Sequence, residues 1–272
     1  MSQTLNATPT TIPAPAATSS FAGSWQERLV WTALSLATLI ALWAIVAAIA
    51  QNRHGPGPLT VLNVLIHEAQ SGVLWGHLFA TLGRVAASFV IAMLIGSAIG
   101  LALGRNALAD RFFDVWLILF LNLPALVIIA LSYVWIGPWE TTAITAVSLN
   151  KIPNVAVQMR EGARNLSRDL DEMAEVYRFG WWRTFRHVTI PQLAPFFAAA
   201  ARSGLALVWK IVLVVEALGG HSIGVGHQIF TAFQSFDVPV ILAYALAFIV
   251  VIQIVELGVL QPLQARVNRW KR

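Results

Sequence analysis

The sequence predicts an all-α polytopic membrane protein, with six transmembrane helices and one long polar loop on a single side. Three observations carry that expectation. Of the 272 residues, 57% are hydrophobic and only 11% are charged, too few charges to cover the surface of a soluble domain. The apolar residues fall in blocks of about 20, the length that spans a bilayer as helix rather than as barrel strand. Arg and Lys gather in alternate connecting segments, which marks those segments as cytoplasmic.

Composition removes several function classes. With no cysteine, disulfides and thiolate metal sites are excluded. The formal charge of +5 follows from the basic bias of cytoplasmic loops and does not point to nucleic acid. No glycine-lysine phosphate loop of the Walker A type is present, so any ATP chemistry belongs to another chain. The first 20 residues are mainly Thr, Ala, Pro and Ser, without the basic start and apolar core of a signal peptide. Residues 1–26 are expected to be a disordered cytoplasmic tail, and 27–272 a single transmembrane domain.

The first span is expected at about Leu29 to Ala50. A turn-rich loop follows, then a short amphipathic helix with Val61, Leu62, Leu65 and Ile66 on its apolar side, suited to a membrane interface. His67 and His77 in or near it read as surface polar residues. The second span covers about Thr81 to Leu103. Its Gly96, Gly100 and Gly104 recur every four residues and make a smooth stripe for close helix approach. The third span, about Phe112 to Ile136, contains Asn122 and is expected to kink at Pro124. The fourth starts near Thr141, with Asn150, Lys151, Pro153 and Asn154 interrupting its apolar sequence. The fifth covers about Pro195 to Leu218, and the sixth about Pro239 to Leu260. The glycine-rich segment 219–237 between them, without Lys or Arg, reads as an outer loop. Six spans with both termini inside is the topology the basic residues support.

The polar stretch from Arg160 to Pro195 stands apart. Met173, Val176, Tyr177 and Gly180 recur at three- and four-residue steps, as on one helix face. Gly180 is expected to break that helix, with Pro191 and Pro195 marking the return to apolar sequence. A charged helix-turn-helix hanging off a membrane domain reads as a docking element for a soluble partner.

Within it, EMAEVYRFGWWRTFRHVTIP resembles the EAA loop of the permease subunits of binding-protein-dependent ABC importers. The phrases GHLFATLGRVAASF, PALVIIALSYVWIG and LVWKIVLVVEALG resemble the same family, most closely its nitrate/sulfonate/taurine/bicarbonate branch, and the resemblance covers about residues 55 to 270. Glu172 and Ala174 match the loop, whereas Met173 replaces its first alanine. The family glycine falls at Arg178, with Gly180 expected to supply the turn instead. Trp182, Phe185 and Pro191 fit the aromatic and proline positions. The resemblance implies a type I importer permease in a bacterial inner membrane. It implies a coupling helix within about 160–191 that seats on an ATPase. Glu172, Met173, Ala174, Glu175, Tyr177, Arg178, Gly180, Trp182 and Pro191 would be the coupling residues. It further implies two cytoplasmic ATP-binding subunits that hold ATP and magnesium, a second permease copy, and a periplasmic solute-binding protein. No cofactor is expected in this chain.

Charges within the spans are costly, about 2.5–3.5 kcal/mol for a Lys at mid-bilayer on insertion scales. Lys151, Lys210 and Glu216 therefore call for a wet passage, an anionic solute, or mutual pairing such as either lysine with Glu216. The passage reading makes Asn122, Asn150, Lys151, Lys210 and Glu216 the solute pathway, and the solute a small anion. An ATP-independent secondary carrier or channel is the alternative, though it would need no docking loop and often shows internal repeats. The histidines fall on both sides of this topology, so they do not form one site.

Overall fold

The computed structural model describes residues 25–50, 55–220 and 223–262, and these form helices joined by short turns, with no strand among them. The tail expected over 1–26 lies outside the described residues up to position 24, as does the closing run of basic residues. Two units are present, one ending at Ile49 and one beginning at Ala50. The first is helix α1, Trp25–Ala50, whose apolar side chains from Leu29 to Ile49 are exposed all round. Such a surface suits lipid.

The second unit opens with α2, Pro58–Gln70, which packs on a later helix instead of lying free: Val61 is buried and Glu68 accepts a 2.8 Å hydrogen bond from Tyr244. Then comes α3, Val73–Arg105, entered through Gly72 at φ 84°. It starts eight residues before the expected Thr81. Two helices follow where one kinked span was expected, α4, Ala107–Asn122, and α5, Ala125–Ile136, set at 93° to each other. The cause is local. Pro124 forces the preceding Leu123 into extended backbone, which ends the helix. Asn122 turns its amide back to the Ile118 carbonyl at 2.7 Å.

Helix α6, Glu140–Arg164, runs unbroken through Pro153 and is about 37 Å long by helical rise. It is long enough to span, yet it is less apolar than α3 because of Asn150, Lys151, Asn154 and Gln158. Neighbours bury it. The stripe of Gly96, Gly100 and Gly104 receives α6: a Cβ on Gly100 would stand 2.4 Å from the Ala156 carbonyl oxygen and 2.7 Å from the Met159 Cβ. The stripe is thus an intrachain seam, with α3 and α6 parallel.

Then follow α7, Arg168–Val176, and α8, Trp181–Thr184. A π-helical turn at Phe185–Thr189 leads straight into α9, Ile190–Leu218. Pro191 accounts for that turn, since it has no N–H to give and its ring crowds the carbonyl four residues back. The segment expected as an outer loop contains a helix, α10, Val225–Gln234. Last is α11, Val238–Val255, continued by a π-helical run at Glu256–Leu260. Among the described residues four helices are long and apolar enough to cross a membrane, five if α4 and α5 count as one bent span. The core lies where α3, α5, α6, α9, α10 and α11 meet, around Ile129, Val147, Val208, Val215 and Tyr244. A second cluster, around Met93, Val155, Leu193 and Ala200, fills the α3–α6–α9 junction toward α7.

Gly100→Ala should lower the unfolding free energy in detergent by about 1–3 kcal/mol, the range for overpacking a tight seam. Gly83→Ala, on the same helix with nothing within 4 Å of its added carbon, should be nearly silent. Equal effects at both positions would contradict this seam.

Candidate functional site

Three polar constellations sit at different heights of the second unit. At the α10 end, Glu216 is fully buried (0% exposed) and Arg84 nearly so (5%). Arg84 Nη1 lies 2.5 Å from Glu216 and also donates to the Ile223 carbonyl at 2.8 Å. Its other two nitrogens bind Glu140 at 2.6 and 2.9 Å. Thr81 donates to the Glu216 carboxylate at 2.8 and 3.0 Å. The N-terminus of α10 completes the shell: Gly226 N–H reaches Glu216 at 2.8 Å, Val225 N–H reaches the Thr81 hydroxyl at 2.9 Å, and Gly224 N–H reaches His77 Nδ1 at 2.9 Å. A carboxylate at a helix N-terminus satisfies otherwise orphaned donors and suits the helix dipole.

This arrangement corrects two readings. Glu216 pairs with Arg84, not with Lys151 or Lys210, and His77 is a buried acceptor rather than a surface residue. The sequence reading missed Arg84; an arginine inside an apolar helix calls for a partner, but the match, 132 residues away, is not readable from spacing.

The second constellation lies midway. Lys151 is 1% exposed, and its Nζ has no hydrogen-bond partner among the described residues. Its Cε sits 3.0 Å from where a Cβ on Gly204 of α9 would be, beside Phe89 of α3. Asn150 and Asn154 are half-buried, and Gln158 donates to Ser203 of α9 at 2.9 Å. Lys210 is exposed on α9, as are Arg202, Ser203 and Leu207. Asn122 is exposed at the α4–α5 break, well apart in the chain order. Of the five residues read as a pathway, Glu216 is sealed at the α10 end and Lys151 is buried, whereas Lys210 and Asn122 are exposed.

The third constellation is the polar stretch. Among the described residues, no salt bridge joins Arg168, Asp169, Asp171, Glu172, Glu175 or Arg178 to any partner. Ala174 is buried, while Glu172, Met173, Glu175, Tyr177, Arg178, Gly180, Trp182 and Pro191 are exposed. Val176, Tyr177 and Trp181 are 79%, 71% and 73% exposed, and Trp181 stacks on Phe185 at 5.7 Å and 6°.

The turn after α7 is made by Arg178, at φ 51°, and not by Gly180, at φ −66°. Arg178 N–H bonds Glu175 O at 2.9 Å and Phe179 N–H bonds Ala174 O at 2.8 Å, the two bonds of a Schellman cap. The position that the resemblance assigns to glycine thus keeps the left-handed conformation that glycine adopts at least cost.

Stiff links bind this loop to the spans. Arg105 donates to Thr189 at 3.1 Å and Ser167 N–H to Gln192 at 2.9 Å. Arg160 pairs with Asp114 at 2.6 Å and with Asp110 at 3.3 Å, and Arg164 also pairs with Asp110. Among the described residues, no group of three or more His, Asp or Glu side chains is placed to hold a metal ion.

Residues 73–264 match the family described as binding-protein-dependent transport system inner membrane component. A Bacillus subtilis permease protein named for aliphatic sulfonates, SsuC, is 27% identical over 91% of this chain and 88% of its own length. The taurine transport system permease protein TauC of Escherichia coli is 26% identical over 87% of this chain and 88% of its own. The bicarbonate transport system permease protein CmpB of Synechococcus elongatus is 25% identical over 77% and 80%. In fold, the chain is similar to an inward-facing MetNI methionine ABC transporter structure, with a TM-score of 0.64 over 74% of this chain and 98% of that one at 16% identity.

Removing Arg84 leaves a buried carboxylate without its cation, which costs about 3–5 kcal/mol. Arg84→Met should lower the unfolding free energy by about that much. Adding Glu216→Gln, which removes the charge and keeps hydrogen bonds to Thr81 and Gly226, should recover the larger part. Denaturant unfolding of the purified chain in detergent would show it. Additive losses in the double variant would contradict the pairing.

Proposed function

The chain belongs to the family of binding-protein-dependent transport system inner membrane components, the permeases of ABC importers, and from that membership we propose how its parts divide the work. Two copies related by a two-fold axis enclose the pathway. A periplasmic protein delivers the solute at the α10 end. Two cytoplasmic ATPases, which hold ATP and magnesium, seat against α7 and α8, and both termini share that cytoplasmic side. This chain supplies no hydrolytic group of its own. Lys151, Lys210 and Asn150 give the passage its basic and polar character, with Asn122 at its edge. Glu216 acts from behind it as the fixed post of the α10 end.

The observation that carries this reading is the surface built by α7 and α8. Large apolar side chains, Val176, Tyr177, Trp181 and Trp182, stand exposed among charges that have no salt-bridge partner among the described residues. Apolar anchors rimmed by orienting charges are what a protein interface is made of. A secondary carrier would have no use for them. The backing of this surface by Arg105–Thr189, Ser167–Gln192 and the Arg160–Asp114 pair makes it a rigid lever: a push on α7 moves α6 and α9 together.

The solute, on this proposal, is a small oxyanion. Relatives named for sulfonates, taurine and bicarbonate share a compact anionic headgroup, and the basic residues inside the bundle suit such a group.

Tyr177→Ser combined with Trp181→Ser should weaken capture of the cognate ATPase by about 2 kcal/mol or more, roughly 30-fold in affinity. Since both side chains are exposed, the thermal midpoint of the purified chain should stay within about 2 °C. Wild-type capture by the double variant would overturn the docking assignment.

A further inference from the structure

Lys151 presents a problem that the fold does not solve. Its ammonium is buried at the junction of α3, α6 and α9, and among the described residues no hydrogen bond reaches it and no carboxylate lies within the 4.0 Å of a salt bridge. Glu216, the fully buried carboxylate of this bundle, is by contrast met by Arg84, Thr81 and Gly226. A buried charge without a partner is strongly disfavoured. A lysine held that way for stability alone would be replaced with gain by an apolar side chain.

Its surroundings have one chemical sense. On α6, Asn154 lies three residues on and Gln158 seven residues on, along the same helix face as Lys151. Opposite them on α9 are Ser203 and Gly204. The glycine leaves room for the Lys151 side chain, whose Cε occupies the space a Cβ would crowd at 3.0 Å. Gln158 and Ser203 close the seam with their 2.9 Å hydrogen bond. Ser203 also lines a cavity of about 560 Å³ with Ala206, Arg202 and Glu256, a volume in the range of small-ligand sites. Arg202 and Glu256 lie 3.5 Å apart across it. From cavity to lysine the seam offers a hydroxyl, two carboxamides and an ammonium, all able to donate to oxygen.

We propose that Lys151, Asn154, Gln158 and Ser203 form an oxyanion site at the α6–α9 seam. It is shut in this conformation by the Gln158–Ser203 bond and by the seating of Lys151 against Gly204. When α9 shifts on α6, that bond opens and the ammonium reaches the headgroup of the passing solute. This rests on the reading that the transported solute is an oxyanion. It adds where the headgroup is held and which residues distinguish it from a neutral molecule.

The test is ATP-driven uptake of labelled ethanesulfonate and bicarbonate into proteoliposomes holding the full transporter with its binding protein. If the wild type takes up neither anion, the oxyanion reading of the function fails, and the site loses its basis. If it takes up either, Lys151→Gln should cut that uptake at least tenfold; unchanged uptake overturns the site while leaving the wider reading intact. Asn154→Asp keeps the proposal exposed should Lys151→Gln not fold. It places a carboxylate one turn from the ammonium, so it should raise the thermal midpoint and still cut uptake at least tenfold. A raised midpoint with wild-type uptake would make Lys151 a mere slot for an ion pair and would overturn the site.

Discussion

The pairing of Arg84 with Glu216 is the constraint on which the α10 end of the molecule depends. Each residue belongs to a helix of the bundle, α3 or α9, and each would be strongly disfavoured there alone. Together they fix the distance between those helices, and Glu140 ties α6 to the same arginine. The sequence after α9 follows from this. Three successive N–H groups of α10 turn onto the shell of Glu216, and the chain must come very close to make those bonds. A Cβ on Gly224 would stand 2.6 Å from the Glu216 carboxyl carbon, and one on Gly226 would stand 2.2 Å from the Leu213 carbonyl oxygen. The glycines at 224 and 226 are therefore set by the carboxylate, and Gly224, at φ 150°, also takes a backbone conformation that few other residues adopt.

The polar groups of the bundle fall into two kinds. Those at the α10 end and at the α4–α6 corner are paired in charge within the chain and hold helices in place. Those of α7, α8 and the α6–α9 seam are not. Among the described residues, the exposed charges on α7 have no salt-bridge partner and the Lys151 ammonium has no hydrogen-bond partner. Beside ion pairs such as Arg84–Glu216 and Arg160–Asp114, the unmatched groups are where another molecule is to be expected. Rigid links join the two unmatched regions through α6 and α9, so a force at α7 is carried to the seam without a soft element between.

Much of this was legible in the sequence. The apolar blocks marked the long helices, the glycine stripe of α3 marked a close helix seam, and the polar interval from Arg160 to Pro195 marked the exposed surface of α7 and α8. These signals are local and periodic, and helices report them well. What escaped was long-range or conformational. Arg84 showed in the sequence as an isolated arginine, but its partner lies on a helix far along the chain. Helix α10 was hidden by glycines that read as loop, although Val225, Ile229, Ala232 and Phe233 recur at helical steps. Arg178 takes a left-handed conformation that its residue type disfavours, so the turn was expected two residues later. At Pro124 the sequence marked a disturbance but not its size, because the bend depends on how α4 packs against α3 and α6.

The account requires the α7–α8 surface and the α10 end to face opposite sides of the membrane. The chain has no cysteine, so single cysteines can be placed without background. Val176→Cys and Ser235→Cys both fall on exposed positions. With a membrane-impermeant thiol reagent on cells whose outer membrane alone is opened, the cysteine at 235 should react. The one at 176 should react only after the inner membrane is permeabilised. Reaction of 176 in intact inner membranes, with 235 protected, would place the docking surface on the wrong side and contradict the account at its base.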